Sequence, residues 1–358
     1  MAREVKMGRE AERDVEKEHK LVTDLAAIER VERIGNSIAA VANSVTVEAG
    51  YGSPDVYQFE YKFKIIEDEG INAFSLPGGI VYVNKGLLDY CQSDHELAGV
   101  LAHEAAHAAH HHMVHLLREQ SKLDGQIALL LLAGMVARVD STDLGNLLIG
   151  AQLVRIARTS GYGRKAETDA DTAAVTYMAQ SGYNPVGLLT FLERLARDAA
   201  TKPDLNMGIM QTHPAPRDRC RNVTSEIKSL GLPLNRRAVT DSLKARTEAT
   251  TVNGQSITRV TLGDQVLFDP APVDNALTSE QRAQAITVKV NQFLDSDPKF
   301  REVRLSSDGG TVLARGEPVI MVFDQDAVQD GKPTHELAQH AADVLKRAIW
   351  CEMIARIY

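Results

Sequence analysis

His103-Glu104-Ala105-Ala106-His107 sets two imidazoles four residues apart with a carboxylate between them. On an α-helix, positions four apart share a face, so both rings can reach one ion. Glu104, one step round, can hold a water on that ion without being a ligand. The chemistry this pattern allows is zinc-assisted hydrolysis. The competing reading is a chance H-E-x-x-H on an exposed Ala/His-rich helix, because short patterns recur without function. Six of the eleven histidines fall between residues 103 and 115, which makes this stretch the strongest anomaly of the composition.

A hydrolytic zinc site needs a third protein ligand and leaves the remaining position to water. Arg164 to Tyr177 offers one, since Glu167 and Asp171 are four apart on a predicted helix. Ala166, Ala170, Ala173 and Ala174 would let another helix approach it closely. Two such carboxylates can simply be a solvated face. Beside H-E-x-x-H, Glu167 is a candidate ligand, and Asp171 could accept the second N–H of a ligating histidine. His213 precedes Pro214 and so sits on extended chain. It is a surface residue, a support for an oxyanion, or the occupant of a fourth zinc position in a resting form; spacing does not choose.

The H-E-x-x-H helix is signalled by Ser93 and Glu96 at capping-box spacing and by Leu97, Val100 and Leu101. No Gly or Pro follows Gly99 until Gly125. Residues 4 to 43 read as helix, with Ile28, Val31, Ile34, Ile38 and Val41 on one face. Gln58 to Ile65 alternates as a half-buried strand, and a Pro77-Gly78-Gly79 turn leads to a strand at Ile80 to Val83. These strands make either a sheet edge that holds an extended peptide by main-chain hydrogen bonds or an ordinary hairpin in the core. Residues 126 to 154 are almost uncharged and read as two short apolar helices broken near Ser141 to Gly145, packing over the cleft or dipping into a membrane surface.

The expected organisation is α+β: a mainly helical zincin-like domain over 1–230 with a small sheet beside the H-E-x-x-H helix, a polar linker at 231–254, and a small α+β domain over 255–358. That last domain has predicted strands at Ser256–Leu262, Gln265–Phe268, Val303–Leu305, Thr311–Ala314 and Val319–Phe323. Its helices are expected at Ser279–Leu294 and from about His335 onward, and it shows no catalytic constellation. The chain has no long-period repeat, no Walker loop and no G-x-S-x-G.

Composition sets outer bounds. The 358 residues are 44% apolar and 25% charged, ordinary for a globular chain of two domains. A formal charge of −8 gives no electrostatic reason to expect nucleic acid. Cys91, Cys220 and Cys351 form no C-x-x-C pair and no disulfide framework. The charged opening MAREVKMGREAERDVEKEHK is not an export signal, and no apolar run reaches the roughly 18 to 20 residues of a membrane span.

Taken in order, these motifs resemble the gluzincin metallopeptidases that include HtpX-like proteases, CAAX prenyl endopeptidases and their soluble bacterial periplasmic branch. The likeness covers about residues 5 to 225. It rests on Asn72-Ala73-Phe74-Ser75-Leu76-Pro77-Gly78-Gly79 with Tyr82-Val83, on Glu96 to Glu104, on Arg164-x-x-Glu167-x-x-Ala170-Asp171, and on Thr212-His213-Pro214 with Arg219. The resemblance implies one zinc per chain held by His103, His107 and Glu167, with Glu104 as catalytic base. It further implies Asp171 as support behind the ligands, His213 and Arg219 lining the site, a structural role for His112, and substrate contacts at Asn72, Ala73, Phe74, Gly78 and Gly79.

The expected activity is an endopeptidase acting on unfolded or extended polypeptides in envelope protein quality control, with zinc-bound water attacking the scissile carbonyl. The substrate would run along the strand near Gly78 to Val83. The alternative is a latent or weak metal-site protein serving as a chaperone-like or binding module. Peripheral membrane or envelope-protein contact is expected through 126–154 or 255–358. The compartment is periplasm or envelope if an export signal was removed, and otherwise cytoplasm.

Overall fold

The structure, a computed structural model, describes residues 2–123 and 162–356 apart from 203, 215, 241–242, 253 and 274–276. The apolar 126–154 stretch lies outside the described residues. The chain divides into two compact units, one reaching to Leu232 and one running from Pro233 to Ile357.

In the first unit, the helix expected over residues 4 to 43 is two helices, α1 (Ala2–Glu18) and α2 (Leu25–Ala42). The break has a local cause. Asp24 caps α2 by accepting from the Ala26 N–H at 3.0 Å, and the Val22 N–H donates to the Ile65 carbonyl at 2.9 Å. Residues 21–22 are thus tied to the sheet. That sheet holds β1 (Lys62–Ile66), β2 (Ala73–Leu76) and β3 (Ile80–Asn84) in the order β1-β3-β2. β3 runs parallel to β1 and antiparallel to β2, and the β2–β3 turn uses Gly78 and Gly79 at φ +85° and +90°.

This order corrects the expected path for a peptide. β3 is paired on both sides, so Gly78 to Val83 presents no free main-chain edge. Among the described residues, the strand with an unpaired side on the β2 flank is β2 itself. The strand expected from Gln58 is also shorter. The Asn43 side chain accepts from the Phe59 N–H at 3.0 Å and donates to its carbonyl at 2.9 Å, which draws residues before 62 off the ladder.

After a short α3 (Lys85–Tyr90) comes α4 (Asp94–Ala109), which carries the H-E-x-x-H residues. Ser93 caps it, accepting from the Glu96 N–H at 3.2 Å. Glu96 itself is buried and paired bidentately with Arg194, at 2.8 and 2.6 Å. The helix does not continue to Gly125 without interruption. It stops at His110, His111 takes φ 59°, and α5 (His112–Leu123) starts in a new direction. A histidine in the left-handed region costs about 1–2 kcal/mol. The His111 Nδ1 contact to both Glu4 oxygens, at 2.8 and 2.9 Å, is one compensation for it.

α6 (Arg164–Gln180) packs along α4, and its Ala166, Ala170, Ala173 and Ala174 are almost fully buried. α7 (Val186–Thr201) crosses α4 at Gly99, where a Cβ would come within 2.8 Å of the Leu188 Cα. A short α8 (Ile209–Thr212) and α9 (Pro216–Ser229) complete the unit. No helix among the described residues is long and apolar enough to cross a membrane.

The second unit corrects the linker expected at 231–254. Residues Ala245–Val252 form β4, paired antiparallel over its whole length with β5 (Gln255–Leu262). Its Thr-rich, charged sequence belongs to an edge strand of a hairpin and lacks the apolar alternation that marks a half-buried one. β6 (Gln265–Phe268) follows, then α10 (Ser279–Leu294), which is opened by a complete Thr278–Gln281 capping box. β7 (Val303–Leu305), β8 (Thr311–Ala314) and β9 (Glu317–Met321) form a second antiparallel meander, followed by α11 (Asp324–Asp330) and α12 (Thr334–Ala355).

The unit is therefore two successive β-β-β-α passages, although the sequence shows no obvious repeat. Each long helix packs mainly on the first two strands of its own meander and on the third strand of the other: α10 on β4, β5 and β9, and α12 on β7, β8 and β6, with lesser contact to β5 and β9. One buried ion pair links the halves. Arg282 of α10 meets Asp326 of α11 at 2.6 and 2.8 Å, and it also donates to the Met321 carbonyl at 3.1 Å.

The close α4–α7 crossing gives a direct test. Gly99→Val should lower stability by about 1–3 kcal/mol through overpacking, read as a lower denaturant midpoint. Gly163→Ala is the control, because a Cβ at Gly163 meets nothing within 4 Å. Equal midpoints for Gly99→Val and wild type would contradict the packing described.

Candidate metal centre

Three helical segments each deliver two polar side chains to one buried place. α4 brings His103 and His107, α6 brings Glu167 and Asp171, and the α8–α9 region brings His213 and Arg219. All six are less than 5% exposed. The four-residue spacing on α4 and on α6 puts each pair on a single face, and the small residues of α6 let the two faces meet.

Four ligand atoms converge. His103 Nε2 lies 3.0 Å from His107 Nε2 and 3.2 Å from His213 Nδ1. His213 Nδ1 lies 2.9 Å from Glu167 Oε1, and His107 Nε2 lies 3.5 Å from the same oxygen. A tetrahedron whose corners sit about 2.0–2.1 Å from its centre, the usual Zn–N and Zn–O length, has edges of about 3.3 Å. The donor set therefore fits zinc in both chemistry and spacing. Glu104 stands beside it, with both carboxylate oxygens buried and without a hydrogen bond. The His213 Nε2 atom is 3.3 Å from Glu104 Oε1, so the His213 ring spans from the donor cluster to this carboxylate.

The electrostatics follow from burying two carboxylates together. Burial pushes the Glu167 carboxyl up, but the charges of His213 and Arg219 and hydrogen bonds from His103 and His107 hold it well below its ordinary value. Asp171 behaves alike: burial opposes ionisation, and Arg219 and His103 override it. Arg219 donates to Asp171 through Nε at 2.9 Å and Nη2 at 2.8 Å, while its Nη1 is 3.0 Å from Glu167 Oε2. His103 Nδ1 is 3.0 Å from Asp171 Oδ1.

Burial and Arg219 depress His103, yet Asp171 and Glu167 outweigh them and raise it to about 9. Burial drives His107 well below its ordinary value, with Glu167 only partly offsetting it, so this ring is neutral. Arg219 and the raised His103 thus offset the charge of Glu167 and Asp171. A dication on the four donors would offset it further.

The other sequence candidates sit less uniformly. Asn72, Ala73, Phe74, Gly78 and Gly79 are all buried. Ala73 and Phe74 lie on β2, the edge strand. Asn72 instead braces the segment before His213: its Oδ1 accepts from Thr212 Oγ1 at 3.3 Å, and the neighbouring Ile71 pairs with Asn206 and Ile209. Gly78 packs against Val5 of α1, and Gly79 packs against Phe59 and Tyr61. These two glycines serve the turn.

Sequence reasoning missed Tyr162, whose ring stacks on His107 with centroids 4.0 Å apart and planes at 19°. Burial and the Glu104 and Glu167 charges raise its phenol well above the ordinary value. It also missed Asp169, which lies between Glu167 and Asp171 in sequence and contacts His110 and His112. The only sequence signals for these were a third acid in Glu-Thr-Asp-Ala-Asp and the surplus of histidines after His107.

The Arg219 arrangement generates a stability prediction. Arg219→Met leaves Asp171 and Glu167 buried with less compensation and should destabilise the chelator-treated chain by about 3–5 kcal/mol. Denaturant melts of that variant and of wild type check it, and a midpoint unchanged within error would contradict this account of the charge balance.

Two family models and several curated relatives match the chain. Residues 31–227 match peptidase family M48, and residues 259–350 match a domain of unknown function, DUF8459. The chain is 29% identical over 202 residues to a putative beta-barrel assembly-enhancing protease of Vibrio cholerae, covering 56% of this chain and 39% of that protein. It is 26% identical over 241 residues to the beta-barrel assembly-enhancing protease of Escherichia coli K12, covering 64% and 45%. With the mitochondrial metalloendopeptidase OMA1 of Schizosaccharomyces pombe it shares 30% identity over 165 residues, or 46% of each chain. The aligned part thus spans less than half the length of these relatives. The family match starts within α2, takes in every residue of the donor cluster and covers more than half the sequence; the chain belongs to peptidase family M48.

Proposed function

We propose that this chain is a zinc endopeptidase with one zinc held by His103, His107 and Glu167. The observation that carries the reading is the convergence of these donors beside a buried Glu104 that has no hydrogen-bond partner of its own. Zinc there would supply a Lewis acid that polarises the scissile carbonyl and brings the pKa of a water to about 7. Glu104 takes the proton of the attacking water on its carboxylate and returns it to the leaving amine. Neither carboxylate oxygen is engaged in a hydrogen bond, and His213 Nε2, 3.3 Å from Oε1, is the group that stands nearest to it in an ion-pair contact. Asp171 accepts from His103 Nδ1 and holds this ring's other nitrogen toward the donors. Arg219 keeps Asp171 and Glu167 ionised.

Extended, unfolded polypeptide is the substrate class this reading favours, because β2 is an edge strand of the sheet among the described residues, and an edge strand can take up an extended chain through main-chain hydrogen bonds. A role in envelope protein quality control is supported by relatives whose names tie them to β-barrel assembly. Contact to a membrane surface or an envelope partner would run through residues 126–154 or 255–358.

His213 favours a second, compatible reading. Its Nδ1 occupies the place of a fourth donor and its Nε2 faces Glu104, so the ring closes the site that an attacking water needs. In that form the chain is latent, and a binding role would dominate until His213 withdraws.

One experiment separates these readings: casein cleavage with bound zinc quantified in the same samples. Glu104→Gln should keep about one zinc and lose at least about 10²-fold in turnover. Retained turnover sinks the peptidase mechanism. His213→Ala should raise basal cleavage if the ring is a latch, and lower it if the ring stabilises the oxyanion. A variant that also loses zinc would make His213 a structural ligand.

A further inference from the structure

His112 follows the metal helix by five residues from His107, a spacing that on a continuous helix would turn the two rings about 140° apart. The left-handed step at His111 ends α4 and swings His112 back, so that its Nδ1 lies 2.8 Å from His107 Nδ1. Both rings are buried. On its far side, His112 Nε2 meets two acceptors, Asp169 Oδ2 at 3.0 Å and the Tyr51 carbonyl at 3.1 Å. Asp169 is itself fixed. Its Oδ2 is in short contact with His110 Nδ1, and its Oδ1 accepts from the Gly50 N–H.

These contacts dictate where hydrogens go. Two acceptors at His112 Nε2 require a hydrogen on that nitrogen, so in the neutral ring His112 Nδ1 carries a lone pair. The 2.8 Å contact then needs its hydrogen from His107 Nδ1. With Nδ1 protonated, the neutral His107 ring has its lone pair on Nε2, the atom that faces His103, Glu167 and His213. The opposite hydrogen pattern would put a proton on the nitrogen that should bind metal.

We infer that His112 and Asp169 are positioning residues that lock His107 in its Nδ1–H form and aim its Nε2 into the donor cluster. This rests on the reading of His107 as a metal ligand. The two ligating histidines are then backed differently: His103 by a carboxylate directly, and His107 by a carboxylate acting through a second imidazole. His110, His112 and Asp169 also form a group close enough to hold an ion of their own. The relay is favoured because the short His110–Asp169 contact and the Tyr51 and Gly50 bonds already use their polar atoms.

The test is zinc affinity, measured on the full chain by competition with a chromophoric chelator, with stoichiometry and thermal midpoint recorded alongside. His112→Leu should weaken zinc by about 10–100-fold, and Asp169→Asn should weaken it by about tenfold, the range for outer partners of metal ligands. His112→Gln should recover most of the loss, because its amide oxygen can accept from His107 Nδ1–H. Spectra of ¹⁵N-histidine in the chelator-treated chain should show His107 protonated at Nδ1, and Nε2 protonation would overturn the relay.

Wild-type affinity in His112→Leu or Asp169→Asn removes the relay and leaves the zinc site standing. Equal losses in His112→Leu and His112→Gln, with equal falls in midpoint, make His112 a packing residue and overturn the proposal. A second zinc in wild type that His112→Leu abolishes overturns it in favour of a second metal site. No zinc in wild type defeats the metal-centre reading itself, and the relay with it. If His112→Leu does not fold, Asp169→Asn and the nitrogen spectra decide alone.

Discussion

Two ionised carboxylates, Glu167 and Asp171, are buried one helical turn apart, and the rest of the first unit is arranged to make that tolerable. A lone buried carboxylate would neutralise itself by taking up a proton. Here Arg219 spans both acids and His103 bridges them from the other side. Positive charge must therefore come from elements far apart in sequence, and α4, α6 and α9 have to meet at this one place. The alanine face of α6 and Gly99 on α4 are the steric terms of the same requirement, since bulkier residues would hold the helices too far apart for the charges to pair.

The end of α4 shows how a local cost serves the site. His111 takes up a conformation that histidine disfavours, and a buried contact to Glu4 of α1 holds it there. This break redirects the chain just after the second histidine of the metal pair. The His110–His112–Asp169 cluster, the loop at Gly50–Tyr51 and the N-terminal helix are all attached to that turn. An uninterrupted helix would have presented the same histidines to three different directions.

Much of this site was legible in the residues. Spacing placed His103 and His107 on one face and Glu167 with Asp171 on another, because helical periodicity is a local property. Most strands and helices of the second unit after residue 255 were legible for the same reason, but β9 is Glu317–Met321 where Val319–Phe323 was expected, and α11, which starts right after Phe323, was not foreseen. What was not legible depended on partners distant in sequence. The sheet order that pairs β3 on both sides is set by a parallel β1–β3 ladder that no short-range pattern encodes. The end of α4 was invisible because no Gly or Pro marks it, and the stabilising contact comes from a glutamate more than a hundred residues upstream. β4 was read as linker because its partner strand, and not its own composition, makes it a strand.

Each segment brings a donor together with a second polar group, and Asp171 and Arg219 each serve a donor on another segment, His103 and Glu167 respectively. His103 and His107 ride with Glu104 on α4, Glu167 with Asp171 on α6, and His213 lies six residues before Arg219. His213 differs from the other donors in its backbone. It stands just after the four-residue α8, held by its N–H to the Ile209 carbonyl at 2.8 Å, whereas the others sit within long packed helices. The supports of that segment are Ile71 and Asn72, which immediately precede strand β2, and Tyr162 through its N–H to the Thr212 carbonyl at 3.1 Å. A ligand on a short, strand-tethered segment can leave the cluster without unpacking a helix, and the three helical donors cannot. His213 is thus the one donor of the four whose backbone lies outside a helix, on a segment held by the residues that lead into β2.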